Sequence, residues 1–115
     1  MTRYNWAQVQ KEQLNPLFMR QVIHGDKITI ARIRLLKGCV VPEHAHHNEQ
    51  ITTMQEGRLR FRIGGEELIL EAGDVLHIPA NAPHEVLALE DTIATDVFSP
   101  TREDWRTGDD AYLRG

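Results

Sequence analysis

The chain has 115 residues, 41% of them hydrophobic and 26% charged, which suits one folded domain with a core of its own. A formal net charge of −4 leaves no basic footprint for a nucleic-acid partner, and no apolar run approaches the length of a membrane span. The single cysteine, Cys39, excludes an intramolecular disulfide, and the amino terminus lacks the apolar core of a secretion signal, so the expected compartment is the cytoplasm.

Residues 1–15 read as an N-terminal arm, with a polar stretch from Trp6 to Leu14 that forms a short helical turn or stays loose. Beyond Pro16 the pattern changes. Leu17 to Ile23 and Ile28 to Leu36 read as strands joined by the hairpin turn His24-Gly25-Asp26-Lys27. Arg58 to Ile63 alternates cleanly, which predicts a half-buried strand with Leu59, Phe61 and Ile63 on the core face and three arginines on the other. Gly64-Gly65 turns the chain into Glu67 to Leu70. Strands follow at Val75 to Ile78, His84 to Leu89 and Thr92 to Phe98. Short strands punctuated by Gly and Pro at near-regular intervals predict an antiparallel sandwich or barrel over residues 16–98, with a charged, turn-rich tail over 99–115. No boundary divides the chain, so a single domain is expected over 1–115.

The chemistry concentrates between Gly38 and Gly57. His44 and His46, spaced i and i+2, project from one face if the strand is continuous. Imidazole is the commonest protein ligand for first-row divalent metals, and a third imidazole with a carboxamide would complete a four-ligand site. Residues four apart on one strand are roughly 13 Å apart. If Gln50 shares an ion with His46, the segment His47-Asn48-Glu49 must therefore turn the chain back. Pro42 and the β-branched run Ile51-Thr52-Thr53 argue against a helix there. His47, His77 and His24 read as surface or structural histidines.

Two further features bear on a substrate. Asp96 and Phe98 share a strand face, and a core role for Phe98 brings Asp96 inward, where it needs Arg102 or a bound substrate as partner. Arg58, Arg60 and Arg62 read as a solvated stripe. With the register reversed near Gly57, Arg60 instead reaches the cavity and binds a substrate carboxylate.

These residues resemble the cupin superfamily. Gly38, His44, His46, Gln50 and Gly57 follow its first motif, with Gln50 standing where Glu is usual. Gly73, Pro79 and His84 follow its second, with Asn81 replacing a Gly. The resemblance implies an all-β fold, a double-stranded β-helix or jelly-roll barrel, with an ion at the barrel mouth. A narrower likeness joins His44-Ala45-His46-His47-Asn48-Glu49-Gln50 to the ending Asp96-Val97-Phe98-Ser99-Pro100-Thr101-Arg102-Glu103-Asp104, which is similar to the pectin degradation protein KdgF family. That likeness implies ring opening of 4,5-unsaturated monouronates, from pectin or alginate breakdown, to linear 4-deoxy-5-keto-uronate. It implies one divalent transition metal (nickel, zinc, manganese, iron or copper) on His44, His46, Gln50 and His84. Asp96 and Arg102 become the catalytic residues, and Phe98 lines the site. The substrate is then a small acidic sugar. Apart from the likeness, a small barrel has exposed sheet edges that pairing covers, and Trp6 of the arm with Trp105, Tyr112 and Leu113 of the tail offer apolar surface for it, so the expected assembly is a homodimer. Two rival readings remain at this level: a metal-dependent dioxygenase of a small organic substrate, and a non-catalytic sugar- or metal-binding cupin.

Overall fold

The structure is a computed structural model that describes residues 1–114. One 3₁₀ turn, Trp6–Gln8, opens the chain, capped by Asn5, whose Oδ1 accepts from the Ala7 amide at 2.9 Å. Ten strands follow: β1 Glu12–Asn15, β2 Phe18–His24, β3 Thr29–Leu35, β4 Val40–His44, β5 Glu49–Glu56, β6 Arg58–Ile63, β7 Glu66–Glu71, β8 Val75–Ile78, β9 His84–Ala88 and β10 Thr92–Ser99. Two short helices, α1 Glu103–Thr107 and α2 Ala111–Arg114, finish the described chain.

The strands form a six-stranded sheet, β1-β2-β3-β10-β5-β8, and a four-stranded sheet, β4-β9-β6-β7, with every pairing antiparallel. This is the expected all-β jelly roll. Strict alternation puts Ala31, Ile33 and Leu35 of β3, Met54 of β5 and Ala94 and Phe98 of β10 inward, where they meet Leu59, Phe61 and Val86 of the smaller sheet. The chain passes from the large sheet to the small one at a single residue, Gly57. Its φ is +95°, and a Cβ there would lie 2.4 Å from the Asp91 carbonyl oxygen and from Thr92 Oγ1. Only glycine fits both demands.

Two expectations change. Glu12–Asn15, read as part of a loose arm, is a strand, because it pairs with β2 and buries Leu14 against the barrel end. Trp105, Tyr112 and Leu113, read as surface for a second subunit, pack on this chain's own core. The tail folds back because Arg20, 1% exposed on β2, forms a buried ion pair with Asp110, and Asn15 Nδ2 holds the Leu113 carbonyl at 3.1 Å. Both Arg20 and Arg102 stack over the Trp105 ring, their Cζ atoms 4.4 and 4.2 Å from its centroid.

Candidate metal centre

His44 ends β4 and lies directly across from His84, which begins β9. The ladder is irregular between Val41 and His44, where Pro42 has no amide to donate, a defect tolerated on an edge strand. His46 comes from the turn linking β4 to β5, the reversal that ligation by both His46 and Gln50 requires. Gln50 faces inward from β5. The ligand atoms of His44, His46 and His84 all lie within 4.8 Å of one another. Two of these four side chains thus come from the small sheet, one from the large sheet, and one from the turn that bridges them.

Hydrogen bonds set the protons on these rings. Nδ1 of His44 lies 2.8 Å from the Pro42 carbonyl, Nδ1 of His46 3.0 Å from Asn48 O, and Nδ1 of His84 2.9 Å from Ala82 O. A carbonyl oxygen only accepts, so each Nδ1 carries its ring's proton and each Nε2 keeps a free lone pair. This is the outer-shell arrangement that orients histidines toward a metal. Burial holds His44 and His46 down to a pKa of about 4, helped by neighbouring His84 and the positive Arg102, and burial lowers His84 as well. The rings are therefore neutral at ordinary pH.

Gln50 sharpens the point. Its Nε2 donates to Thr52 Oγ1 at 2.9 Å, which turns Oε1 toward His46 Nε2 at 3.1 Å. With the His46 proton on Nδ1, two acceptors face each other across that gap, and a cation between them removes the conflict. Donors about 2.1 Å from one ion lie roughly 3.0–3.4 Å apart. The residues fit a divalent metal.

Asp96 faces inward, as expected, and is opposite Thr52 across the β10–β5 ladder. Its partner is Thr52, whose Oγ1 donates to Asp96 Oδ1 at 2.6 Å, and not Arg102. Burial pushes the Asp96 carboxyl up to about 6, against the opposing pull of Thr52, Gln50 and Arg102. Phe98, next on the same face, packs edge-on against the His46 ring at 5.6 Å, with Arg102 Cζ 4.7 Å above its centroid. Arg102 itself is 1% exposed, its Nε and Nη2 held by Asp104 at 3.0 and 2.8 Å and its Nη2 also by the Tyr112 hydroxyl at 2.6 Å.

A cavity of about 50 Å³ lies among His44, Gln50, His84, Asp96, Arg102 and Tyr112. Arg60 is not part of it. Alternation about Leu59 and Phe61 turns Arg60 to the outer face, where it pairs with Glu67 and Glu85 at 3.4 and 3.8 Å. No register reversal occurs at Gly57, so the expected contact with a substrate carboxylate is not formed. His77, bonded to Glu49 at 2.6 Å, and exposed His47 also lie away from the centre. Sequence reading missed Thr52 and Tyr112. Thr52 stands two residues beyond Gln50 on one strand face, a period-two signal available in the sequence. Tyr112, whose ring lies 4.9 Å from that of His44, reaches the centre only through the folding of the tail.

The family described as Cupin domain matches residues 31–98. The chain belongs to the cupins. No curated protein matches it. Among solved structures, this cupin is similar to KdgF from Halomonas sp., with a TM-score of 0.84 and 25% identity over 90% of this chain and 99% of that one. It is similar to an RmlC-like cupin from Shewanella frigidimarina NCIMB 400, with a TM-score of 0.84 and 27% identity over 89% and 93% of the two chains. A predicted oxalate decarboxylase from Thermotoga maritima shares the fold at a TM-score of 0.77 and 17% identity, over 86% and 99%.

Proposed function

We propose that this cupin is a metal-dependent enzyme that opens the ring of 4,5-unsaturated monouronates to linear 4-deoxy-5-keto-uronate. The observation that carries the reading is one cavity edged by the histidine–glutamine centre, a buried carboxylate with a pKa of about 6, and a buried arginine. The likeness to Halomonas KdgF over nearly the whole of both chains supports it. The ligand set is His44, His46, Gln50 and His84, all neutral, so a bound divalent ion keeps its full charge and supplies Lewis acidity toward an oxygen that becomes anionic.

The chain's own residues account for the proton movements. Asp96, ionised near neutrality but raised from the ordinary carboxylate range, is suited to both take and return a proton. It accepts the proton of the C1 hydroxyl as the bond from C1 to the ring oxygen breaks. This leaves an aldehyde at C1 and an enolate spanning C4, C5 and the former ring oxygen. Asp96 then delivers the same proton to C4, and the product is the 5-ketone. The reaction is an isomerisation with no net gain or loss of atoms or electrons.

Arg102 binds the substrate carboxylate. Its Nε edge is held by Asp104, so the carboxylate meets the edge formed by Nη1 and Nη2, where the Tyr112 hydroxyl is the present acceptor. A cavity of roughly 150 Å³ is what accommodates a benzene-sized ring, against a cavity of about 50 Å³ here. Entry of the sugar therefore requires the cavity to widen, and we assign that movement to Tyr112, whose hydroxyl occupies the arginine edge.

The test is incubation of the metal-loaded protein with an unsaturated monouronate, following loss of alkene absorbance and appearance of the open-chain ketone by NMR. Decay no faster than the protein-free rate overturns the proposal, and turnover that consumes oxygen points to a dioxygenase. We further infer a homodimer, now through outward side chains such as Ile51, Ile69 and Val75 rather than the tail. A monomeric mass by sedimentation at micromolar concentration overturns that assembly.

A further inference from the structure

We propose that Thr52 is a positioning residue that locks the Gln50 amide with its oxygen toward the metal and joins the Asp96 carboxylate to the centre through two hydrogen bonds. The inference rests on the four-ligand centre and is independent of the sugar chemistry. A carboxamide ligand has a weakness that a carboxylate lacks. Its two arms are nearly the same size, and only the oxygen coordinates a cation. Turned by 180°, Gln50 would offer an NH₂ group to the ion and lose the contact. Something must choose the orientation.

The structure supplies that choice in a chain of three buried side chains. Asp96, as a carboxylate, only accepts, so the single hydroxyl proton of Thr52 is committed to Asp96 Oδ1 at 2.6 Å. Thr52 Oγ1 is then left as an acceptor toward Gln50, and it takes a proton from Nε2 at 2.9 Å. The directionality passes from Asp96 through Thr52 to Gln50, reinforced by the direct pull of the Gln50 amide on the Asp96 carboxylate, and leaves Oε1 facing His46 Nε2, 3.1 Å away. Thr52 is fully buried and Gln50 and Asp96 are 5% and 6% exposed, so these contacts are made between side chains largely withdrawn from bulk solvent. The alignment comes from register: Thr52 is paired with Asp96, and Gln50 with Phe98, across adjacent inward-facing positions of β5 and β10.

The chain also carries charge. An anion at the end of two aligned hydrogen bonds polarises the amide and makes its carbonyl oxygen a stronger donor to a cation. Asp96 thereby supports the metal without touching it, and a ligand that is formally neutral gains part of a carboxylate's character.

The test measures Zn²⁺ affinity of the full chain by competition with a chelator of known affinity, alongside circular dichroism and a thermal melt of each metal-free variant. Thr52→Val keeps the shape and removes the hydroxyl, and outer-shell losses of this kind are on the order of 10- to 100-fold in metal affinity. Thr52→Ser restores the hydroxyl and brings affinity back to within about threefold of wild type. The decisive comparison adds Gln50→Glu, whose two arms are both oxygen and need no orientation. In that background Thr52→Val changes affinity by less than about threefold. A purely structural threonine predicts equal losses in both backgrounds, and that result overturns the inference. So does a folded Thr52→Val with wild-type affinity, or a Thr52→Ser as weak as Thr52→Val. Failure of the wild-type chain to bind Zn²⁺ overturns this inference and the ligand set together, whereas wild-type binding that Thr52→Val leaves untouched removes the role of Thr52 alone.

Discussion

Replacing Asp96 by Asn sets stability against catalysis, and the structure determines the sign of each. In the folded chain burial raises the Asp96 pKa from 3.8 to about 6. The folded state therefore holds this proton more tightly than the unfolded chain. The stability from the raised pKa is complete below about pH 4 and is lost as pH rises through about 6. At about 1.36 kcal/mol per pKa unit, the ionised carboxylate costs the fold about 3 kcal/mol at pH 8 relative to its protonated form. Asp96→Asn stays neutral at every pH and still accepts from Thr52, but it buries an amide that lacks the proton-donor geometry of a carboxylic acid. Charging about 1 kcal/mol for that mismatch, the metal-free variant gains about 2 kcal/mol over wild type at pH 8. The gain falls to zero or below at pH 4. For a chain of this size that is an upward Tm shift of roughly 6–10 °C at the higher pH. The assay is a set of thermal melts with a strong chelator, at several pH values, plotted as variant minus wild type so that the histidine contributions cancel. Adding the metal shrinks the gain, because a nearby dication favours the ionised carboxylate. Turnover of the loaded variant falls by about 10² to 10⁴. A stability difference that does not change between pH 4 and 8, or a wild type that is the more stable at pH 8, would refute the reasoning about Asp96.

Three other outcomes are expected. Because burial keeps His44 and His46 neutral down to about pH 4, the triad itself loses metal only below about pH 5. In the Asp96→Asn background, which removes the carboxylate that titrates at about 6, metal affinity therefore stays nearly flat from neutrality to about pH 5. In that background a steady decline beginning near pH 6.5 in a chelator competition refutes the buried, preoriented triad. Arg102 is both a candidate substrate clamp and a buried ion-pair partner of Asp104, so Arg102→Met keeps the stem against Phe98 and Trp105 yet loses about 1–3 kcal/mol of stability. Its KM for a uronate rises at least tenfold in steady-state assays, and an unchanged KM removes the clamp role. Gly57→Ala forces a Cβ to within 2.4 Å of the Asp91 carbonyl at positive φ; the expected loss exceeds about 3 kcal/mol in chemical denaturation, and a loss under about 1 kcal/mol refutes the tight crossing.

The strands were legible in the sequence because each is a local pattern. Alternation about Leu59 and Phe61, and the Gly and Pro breaks between segments, mark Arg58–Ile63 and Val75–Ile78 to the residue. The pairing of His44 with His46 was legible from spacing, as was the turn that Gln50 needs to come back toward His46, whereas His84 entered through the resemblance to the cupin motifs. The same alternation already pointed Arg60 outward, and the structure keeps it there. The partners of Asp96 and Arg102 were another matter. Asp96 meets Thr52, 44 positions away, through the register of two strands whose pairing no short-range pattern encodes. Arg102 turns to Asp104 and Tyr112 because the tail folds over the barrel mouth, drawn there by the buried pair of Arg20 and Asp110. Periodicity tells which face a side chain occupies. Which distant side chain it meets there depends on strand order, register and the path of the tail, and these are decided only when the whole core closes.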